Sequence, residues 1–310
     1  MVGSALVRKL SANPDSPLVT RSRAELDLTR QSEVESFFAN EKIDVVFLAA
    51  ARVGGIKANN ELPADFIRNN LQIQTNVIHS AYRAGVSRLL FLGSSCIYPR
   101  LARQPISENT LMTGPLESTN EAYAVAKIAG IKMCESYRRQ YGCDFRSAMP
   151  TNLYGPNDNF DLETSHVLPA LLRKFRQAVI SGDQTVSVWG SGRPRREFLH
   201  VDDMAAASCH LMGLSAEHYW SGASDRCSHV NVGCGTDVRI SELVDLIASI
   251  SGFEGAIEYD PDMPDGTPRK LLDVSRLKAF GWTAQISLEQ GVRETHNWLV
   301  EHWNEISEAT

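Results

Sequence analysis

Asp44-Val-Val-Phe-Leu-Ala-Ala-Ala51 reads as a strand that is apolar on both faces. Such strands belong to parallel sheets covered by helices on both sides, whereas a strand with one wet face alternates apolar and polar residues. Helical and extended patterns alternate outward from it in both directions. Upstream lie a helix over Val2–Ser11, a short strand at Pro17–Thr20 and a helix over Gln31–Glu41. Downstream come a helix over Ala64–Ala84, the strand Arg88–Leu92, a helix containing Tyr123 and the strand Phe145–Leu153. This order predicts an α/β fold, a Rossmann-type doubly wound parallel sheet. After about Tyr154 the alternation loosens. Helices near Val167–Ile180, Met204–Leu214, Ile240–Ile250 and Leu288–His302 are interleaved with short strands at Val186–Trp189, Val230–Val232 and Ile257–Tyr259. Residues 1–154 are therefore expected to form the sheet domain. Residues 155–310 should be mainly a smaller C-terminal α/β lobe, with some segments returning to the first domain.

Composition narrows the class. A chain of 310 residues with formal charge −6 has no basic balance for a nucleic-acid partner. No apolar run approaches the roughly 18 residues that cross a bilayer, and the opening residues carry no signal-peptide pattern. The six cysteines form no Cys-x-x-Cys pair, so neither a metal site nor a disulfide framework is indicated. A reduced, cytoplasmic enzyme without nucleic-acid or membrane partners is expected.

Two stretches carry the chemistry. In Tyr123-Ala-Val-Ala-Lys127 the phenol and ammonium lie four apart, on one face of a helix. A free tyrosine titrates near about 10, and a nearby cation favours the phenolate. Gly93-Ser-Ser-Cys-Ile-Tyr98 ends a strand and can offer a serine hydroxyl to the same reacting oxygen. Tyr-x-x-x-Lys alone is most often a surface pair; with the serine strand end it points to a carbonyl/alcohol redox site. Cys96 follows Ser94 by two residues, so in an extended strand end both face one side. A free cysteine is ordinarily a small buried hydrophobe.

With Ala49-Ala-Ala-Arg-Val-Gly-Gly-Ile56, Met149-Pro-Thr-Asn-Leu-Tyr-Gly-Pro156, Arg196-Glu-Phe-Leu-His-Val-Asp-Asp203 and Asp265-Gly-Thr-Pro-Arg-Lys-Leu-Leu-Asp273 added, the chain resembles the extended short-chain dehydrogenase/reductase family nearly end to end. Within it, the closest pattern is that of the epimerase-reductases of nucleotide sugars. The resemblance implies 3,5-epimerisation, then 4-keto reduction, of a GDP-linked 4-keto-6-deoxy sugar. It also implies the roles: Ser94, Tyr123 and Lys127 for the reduction, Cys96 as epimerisation base and His166 as partner acid. A lone loop histidine would otherwise be read as structural, and the remaining histidines gain no such support.

The cofactor is read from Val19-Thr-Arg-Ser-Arg23, a second strand ending without the acidic residue that binds NAD ribose. Arginines there pair with a 2′-phosphate and favour NADP(H); two ordinary surface arginines are the plainer alternative. Arg23 matches the family position, with Arg21 beside it. Asp27 and Leu28 fall near the adenine by resemblance. Leu92, Gly93, Ser94, Ser95, Lys127, Pro150, Thr151, Asn152, Leu153 and His166 are the further cofactor contacts it implies. Gly3 corresponds to the last glycine of the Gly-x-x-Gly-x-x-Gly phosphate turn. The first strand and the two earlier glycines are absent from this sequence, and upstream codons are expected to encode them. Without that strand, which is central in the family's sheet, unpaired edges are expected.

Lys174, Trp189, Arg196 and Asp265 fall on nucleotide-sugar contacts by resemblance, with Lys270 a further candidate. At Lys174 the family's usual arginine is a lysine, without bidentate geometry. A 4,6-dehydratase would carry an acidic pair after the strand-end serine, where Ser95-Cys96-Ile97 stands. A UDP-galactose-type 4-epimerase would carry an acidic second-strand end. A non-catalytic cofactor-binding protein is the remaining alternative, against which the complete Ser94, Cys96, Tyr123, Lys127, His166 set argues. A homodimer through the helices of Ala64–Ala84 and Tyr123–Tyr141 is implied, with Ile73, Val77, Ile128 and Ile131 as candidate apolar positions.

Overall fold

The computed structural model describes residues 1–12, 17–263 and 265–308. Its elements in chain order are α1 (Val2–Ser11), α2 (Gln31–Asn40), β1 (Val45–Leu48), α3 (Ile56–Glu61), α4 (Pro63–Arg83), β2 (Arg88–Leu92), α5 (Glu121–Tyr141), β3 (Asp144–Pro150) and β4 (Asn152–Tyr154). There follow α6 (Val167–Ser181), β5 (Thr185–Trp189), β6 (Arg195–Arg196), β7 (Phe198–His200), α7 (Val201–Gly213), α8 (Ala216–Gly222) and β8 (His229–Val232). The chain finishes with β9 (Val238–Arg239), α9 (Ile240–Ser251), β10 (Ala256–Asp260), β11 (Arg269–Lys270), α10 (Ser275–Ala279), α11 (Leu288–Glu301) and α12 (Trp303–Glu308).

The main sheet is parallel throughout, in the order β1-β2-β3-β8. The period of two along β2 divides its side chains between two cores. Leu89 and Phe91 join Val34, Val77, Ile131 and Phe145 under α2, α4 and α5. Leu90 and Leu92 join Met204, Leu211, Tyr219 and Leu277 under α7, α8 and α10. Helices on both faces of a parallel sheet are the doubly wound arrangement expected from the sequence. A third core, from Tyr154 to Val292 and Leu299, fills the space between α6, α9, α11 and the parallel pair β5–β10. Segments late in the chain close the first sheet: β8 lies against β3, and Leu272 and Val274 enter the core under α2 and α4.

Three expectations are corrected. Pro17–Thr20 forms no strand; a strand is held by its neighbours' backbone groups, and among the described residues none pairs with it. The strand expected over Asp44–Ala51 is ordered only over Val45–Leu48, and Val45 is 42% exposed. It lies at the sheet edge with one unpaired side, so its apolar composition is only partly buried. Phe145–Leu153 divides at Thr151, where Thr151 N still donates to Val232 O at 2.9 Å, but β4 leaves the main sheet to pair with β7. This break carries the chain from the main sheet at Pro150 to the β4–β7 pair. Of the candidate interface positions, Val77 and Ile131 are buried, and Ile73 and Ile128 pack against the same core. Helical spacing alone could not separate core from interface.

Candidate active site

A cleft of about 2420 Å³ runs from the start of α1 across the ends of β1, β2 and β3 to β5, β6 and β11. It is lined by every residue the sequence assigned to catalysis, cofactor or substrate.

The chain leaves β2 through Gly93, where a Cβ would stand 2.3 Å from Met149 Sδ. It then tightens into a 3₁₀ turn over Ser95–Ile97. Ser94 and Cys96 therefore do not share an extended face, as the spacing suggested; Cys96 N donates to Ser94 Oγ at 3.4 Å and the turn brings both groups to the cleft floor. On α5, Tyr123 lies in the first turn and Lys127 in the next. Gly130 lets that helix approach β2, since a Cβ there would lie 2.3 Å from the Phe91 ring. Buried Lys127 donates to Leu92 O at 2.9 Å, with its ammonium 5.7 Å from the Tyr123 ring centre. Gln74 on α4 donates to Ala126 O at 2.7 Å and fixes the helix between the two catalytic positions.

Burial governs the electrostatics. It pushes the Tyr123 phenol well above the ordinary tyrosine range, with a hydrogen bond to Ser94 opposing it. Burial also lowers Lys127 to about 8, opposed by Cys96. The expected lowering of Tyr123 by Lys127 is thus absent here: desolvation outweighs it and the ammonium is turned to a carbonyl. The Cys96 thiol is raised by burial, with Lys270, Ser94 and Lys127 acting against that rise. His166, the N-cap of α6, opens to the cleft but is walled by protein, which lowers its pKa with help from Lys270. Its approach loop is pinned: Asp161 Oδ1 accepts from Thr164 N and Oγ1 at 2.8 and 2.7 Å, Gly55 N donates to Thr164 O at 2.9 Å, and Lys57 pairs with Glu163 at 2.8 Å.

At the other end of the cleft, a Cβ on Gly3 would meet no atom within 4 Å. That leaves room for a phosphate group against the first-turn amides of α1, where partial positive charge gathers. Arg23 is exposed on the same wall, whereas Arg21 is held by Glu41 and stacked 5.5 Å from Phe37. Asp27 accepts from Thr29 N and Oγ1, Leu28 packs on the α2/α4 core, and Asn152 Nδ2 donates to Glu197 O at 2.8 Å. A helix N-terminus with room beside Gly3 and the exposed Arg23 on the same wall fits a phosphorylated dinucleotide.

On the far wall, Lys174 donates to Ser187 O at 3.1 Å and lies 5.3 Å from the Trp189 ring, which is 56% exposed. Asp265 spends both oxygens on Ser191, accepting at 2.6 and 2.7 Å, so its visible role is to hold that turn. Lys270 pairs in register with Arg196. It reaches both Cys96 and His166 electrostatically, a relation that separations of 174 and 104 positions along the chain hide from any motif.

A model of the NAD dependent epimerase/dehydratase family matches residues 1–233. GDP-L-fucose synthase of Escherichia coli (strain K12) is 57% identical over 302 residues, covering 97% of this chain and 94% of that protein. Among solved structures, a GDP-6-OMe-4-keto-L-xylo-heptose reductase from C. jejuni superposes with a TM-score of 0.90 at 36% identity, covering 97% of this chain and 95% of that one. A GDP-L-fucose synthetase from Naegleria fowleri bound to NADP gives 0.86 at 26% identity, covering 98% and 92%.

Proposed function

This chain belongs to the NAD dependent epimerase/dehydratase family, and from that premise we propose that it makes GDP-L-fucose from GDP-4-keto-6-deoxy-D-mannose with NADPH. It inverts carbons 3 and 5 and then reduces carbon 4. The observation that carries this reading is the meeting, in one cleft, of a Ser94–Tyr123–Lys127 set with a second proton-transfer pair, Cys96 and His166. A 4-epimerase or a simple reductase has no use for that second pair.

A ketone at carbon 4 acidifies the hydrogens on its neighbours. Inversion needs a base on one face of the ring and an acid on the other, while the enolate oxygen is stabilised. Cys96 removes the proton, His166 returns one from the opposite side, and Ser94 with Tyr123 holds the oxygen. NADPH, when bound, supplies a hydride to carbon 4. Tyr123 then gives its proton to the oxygen, a task suited to a phenol whose burial keeps it protonated. Arg196 and Lys174 face the diphosphate and Trp189 offers a ring surface to the nucleotide. Gly3 and Arg23 hold the cofactor phosphates.

The test is direct. In D₂O without NADPH, the chain should exchange the hydrogens on carbons 3 and 5 of the ketone; adding NADPH should yield GDP-L-fucose with matching cofactor oxidation. Reduction without exchange would overturn the epimerase half of the reading.

Cofactor choice is tested at Arg23. Arg23→Ser should raise KM for NADPH by about 10- to 100-fold, the range for losing a charged hydrogen bond, and leave KM for NADH nearly unchanged. Arg21→Ser should do much less, because Glu41 already holds that guanidinium. Equal effects at both positions would count against the assignment.

The assembly is read as a homodimer through α4 and α5. Support comes from the outward face, where Val125 is 40% and Tyr141 47% exposed and Tyr82 stacks on Tyr141 at 4.3 Å. Light scattering at micromolar concentration should give twice the 34.3 kDa chain mass; a single-chain mass would refute it.

A further inference from the structure

A buried polar cluster lies directly behind the Ser95–Ile97 turn, and the chemistry above does not use it. Tyr98, 3% exposed, donates its hydroxyl to Asn231 Oδ1 at 2.5 Å, and His229 Nε2 lies 3.1 Å from that Tyr98 hydroxyl. Asn231 is fully buried. Its Nδ2 donates to Ile106 O at 2.9 Å and Asp273 O at 3.1 Å, and its backbone N donates to Glu108 Oε1 at 3.1 Å. Ile106 in turn exchanges backbone bonds with the segment after Lys270: Ile106 N to Leu271 O at 2.8 Å and Asp273 N to Ile106 O at 2.9 Å.

One side chain therefore ties the turn bearing Cys96 to the segment bearing Lys270. With both Nδ2 hydrogens spent on carbonyls, the amide can offer only its oxygen to Tyr98, so its orientation is fixed. Burial chiefly lowers His229 to about 3 and so holds it neutral, while burial raises the neighbouring Glu108 carboxyl, 3.8 Å from the Arg276 guanidinium. The Tyr123–Lys127 helix has supports of its own in Gln74, which donates to Ala126 O, and in the Leu92 carbonyl that accepts from Lys127, although Tyr123 also meets Ser94 at the start of the turn.

We propose that Tyr98 and Asn231 are positioning residues for the epimerisation step, holding Cys96 in place against Lys270 independently of the Tyr123–Lys127 pair. The inference rests on the reading of Cys96 as base. A hydroxyl lost from a fully enclosed cluster leaves its partners unsatisfied, and that cost is relieved by movement of the turn.

Tyr98→Phe keeps the ring and removes only the clip. Deuterium incorporation at carbons 3 and 5 should fall about tenfold, the factor that accompanies one buried hydrogen bond. The share of reduced product that has escaped epimerisation should rise correspondingly, since hydride delivery is spared. Cys96, now 7% exposed, should react with iodoacetamide about tenfold faster, read by peptide mass, while Cys134, 0% exposed on the buried face of α5, stays protected. Asn231→Ser should repeat the pattern. Unchanged incorporation and unchanged Cys96 labelling would overturn the proposal, as would labelling of Cys96 and Cys134 together with equal loss of both reactions, which signals general loosening. If the unmutated chain exchanges no deuterium, the epimerase reading fails instead; the clip is then judged by selective Cys96 labelling alone.

Discussion

Replacing Tyr123 with phenylalanine should lower NADPH oxidation by about 10²- to 10⁴-fold, the range a positioned acid supplies. Exchange of the carbon 3 and 5 hydrogens with solvent should persist. The phenol is the proton donor to the carbon 4 oxygen, and burial keeps that proton in place at neutral pH. Cys96 and His166 do not need it to move protons at carbon, though Ser94 would then carry the enolate oxygen alone. Loss of both activities in step would refute the division of labour. A pH profile adds a second check. Lys127 holds the Leu92 carbonyl, and with it the start of the Ser94 turn, most firmly as a charged ammonium, and burial has lowered it to about 8. A group that must be protonated loses its effect as pH rises through its pKa. The reductive step should therefore decline above about 8 instead of near the ordinary lysine range.

Cys96→Ser should suppress deuterium incorporation by a similar factor, because a serine hydroxyl holds its proton far more tightly than a thiol. The Tyr123 set stays intact, so slow reduction of the unepimerised ketone continues. Wild-type incorporation in this variant would remove Cys96 from the mechanism. His166→Asn should impair reprotonation on the other face. The wild-type pH dependence follows from the directions of two shifts: the thiol is raised and the imidazole lowered. The resting pair is thiol with neutral imidazole, whereas the reactive pair is thiolate with imidazolium. That minor form is a constant fraction of enzyme between the two pKa values and disappears outside them. Epimerisation should show a plateau wider than the roughly two units separating free histidine and cysteine, falling below the histidine limb and above the cysteine limb. A profile rising steadily into alkali would mean that His166 supplies no proton.

What the sequence disclosed was set by distance along the chain. Tyr123 and Lys127 are one helical turn apart, and Ser94 and Cys96 fall within one tight turn, so spacing suggested that each pair shares a site, while the roles came from the family resemblance. The main strand β2 could be read from the continuous apolar run Leu89–Leu92, whereas β3 and β8 were read from short extended stretches between helical patterns. Strands of two or three residues such as β6, β9 and β11 are too short to show a period, and their pairing positions Arg196 beside Lys270. Pro17–Thr20 and Val45 were misjudged for one reason: both were read by composition, while order and burial came from whether a neighbour was present. The orientation of Lys127 towards Leu92 O, and the burial that raises Tyr123 in spite of a nearby cation, belong to packing and leave no local trace.

The pairing of β8 with β3 bears on how the molecule is made. β3 is complete by residue 150 and its partner is not translated until His229–Val232. At about 5–20 residues per second, the edge of β3 waits roughly 4–16 seconds on the ribosome, apolar and unpaired. Leu272 and Val274, which complete the core under α2 and α4, emerge later still. The catalytic half of the cleft therefore cannot mature during synthesis of its own segment; it is finished only when the last third of the chain returns to it, and until then it is a substrate for chaperones and a template for aggregation.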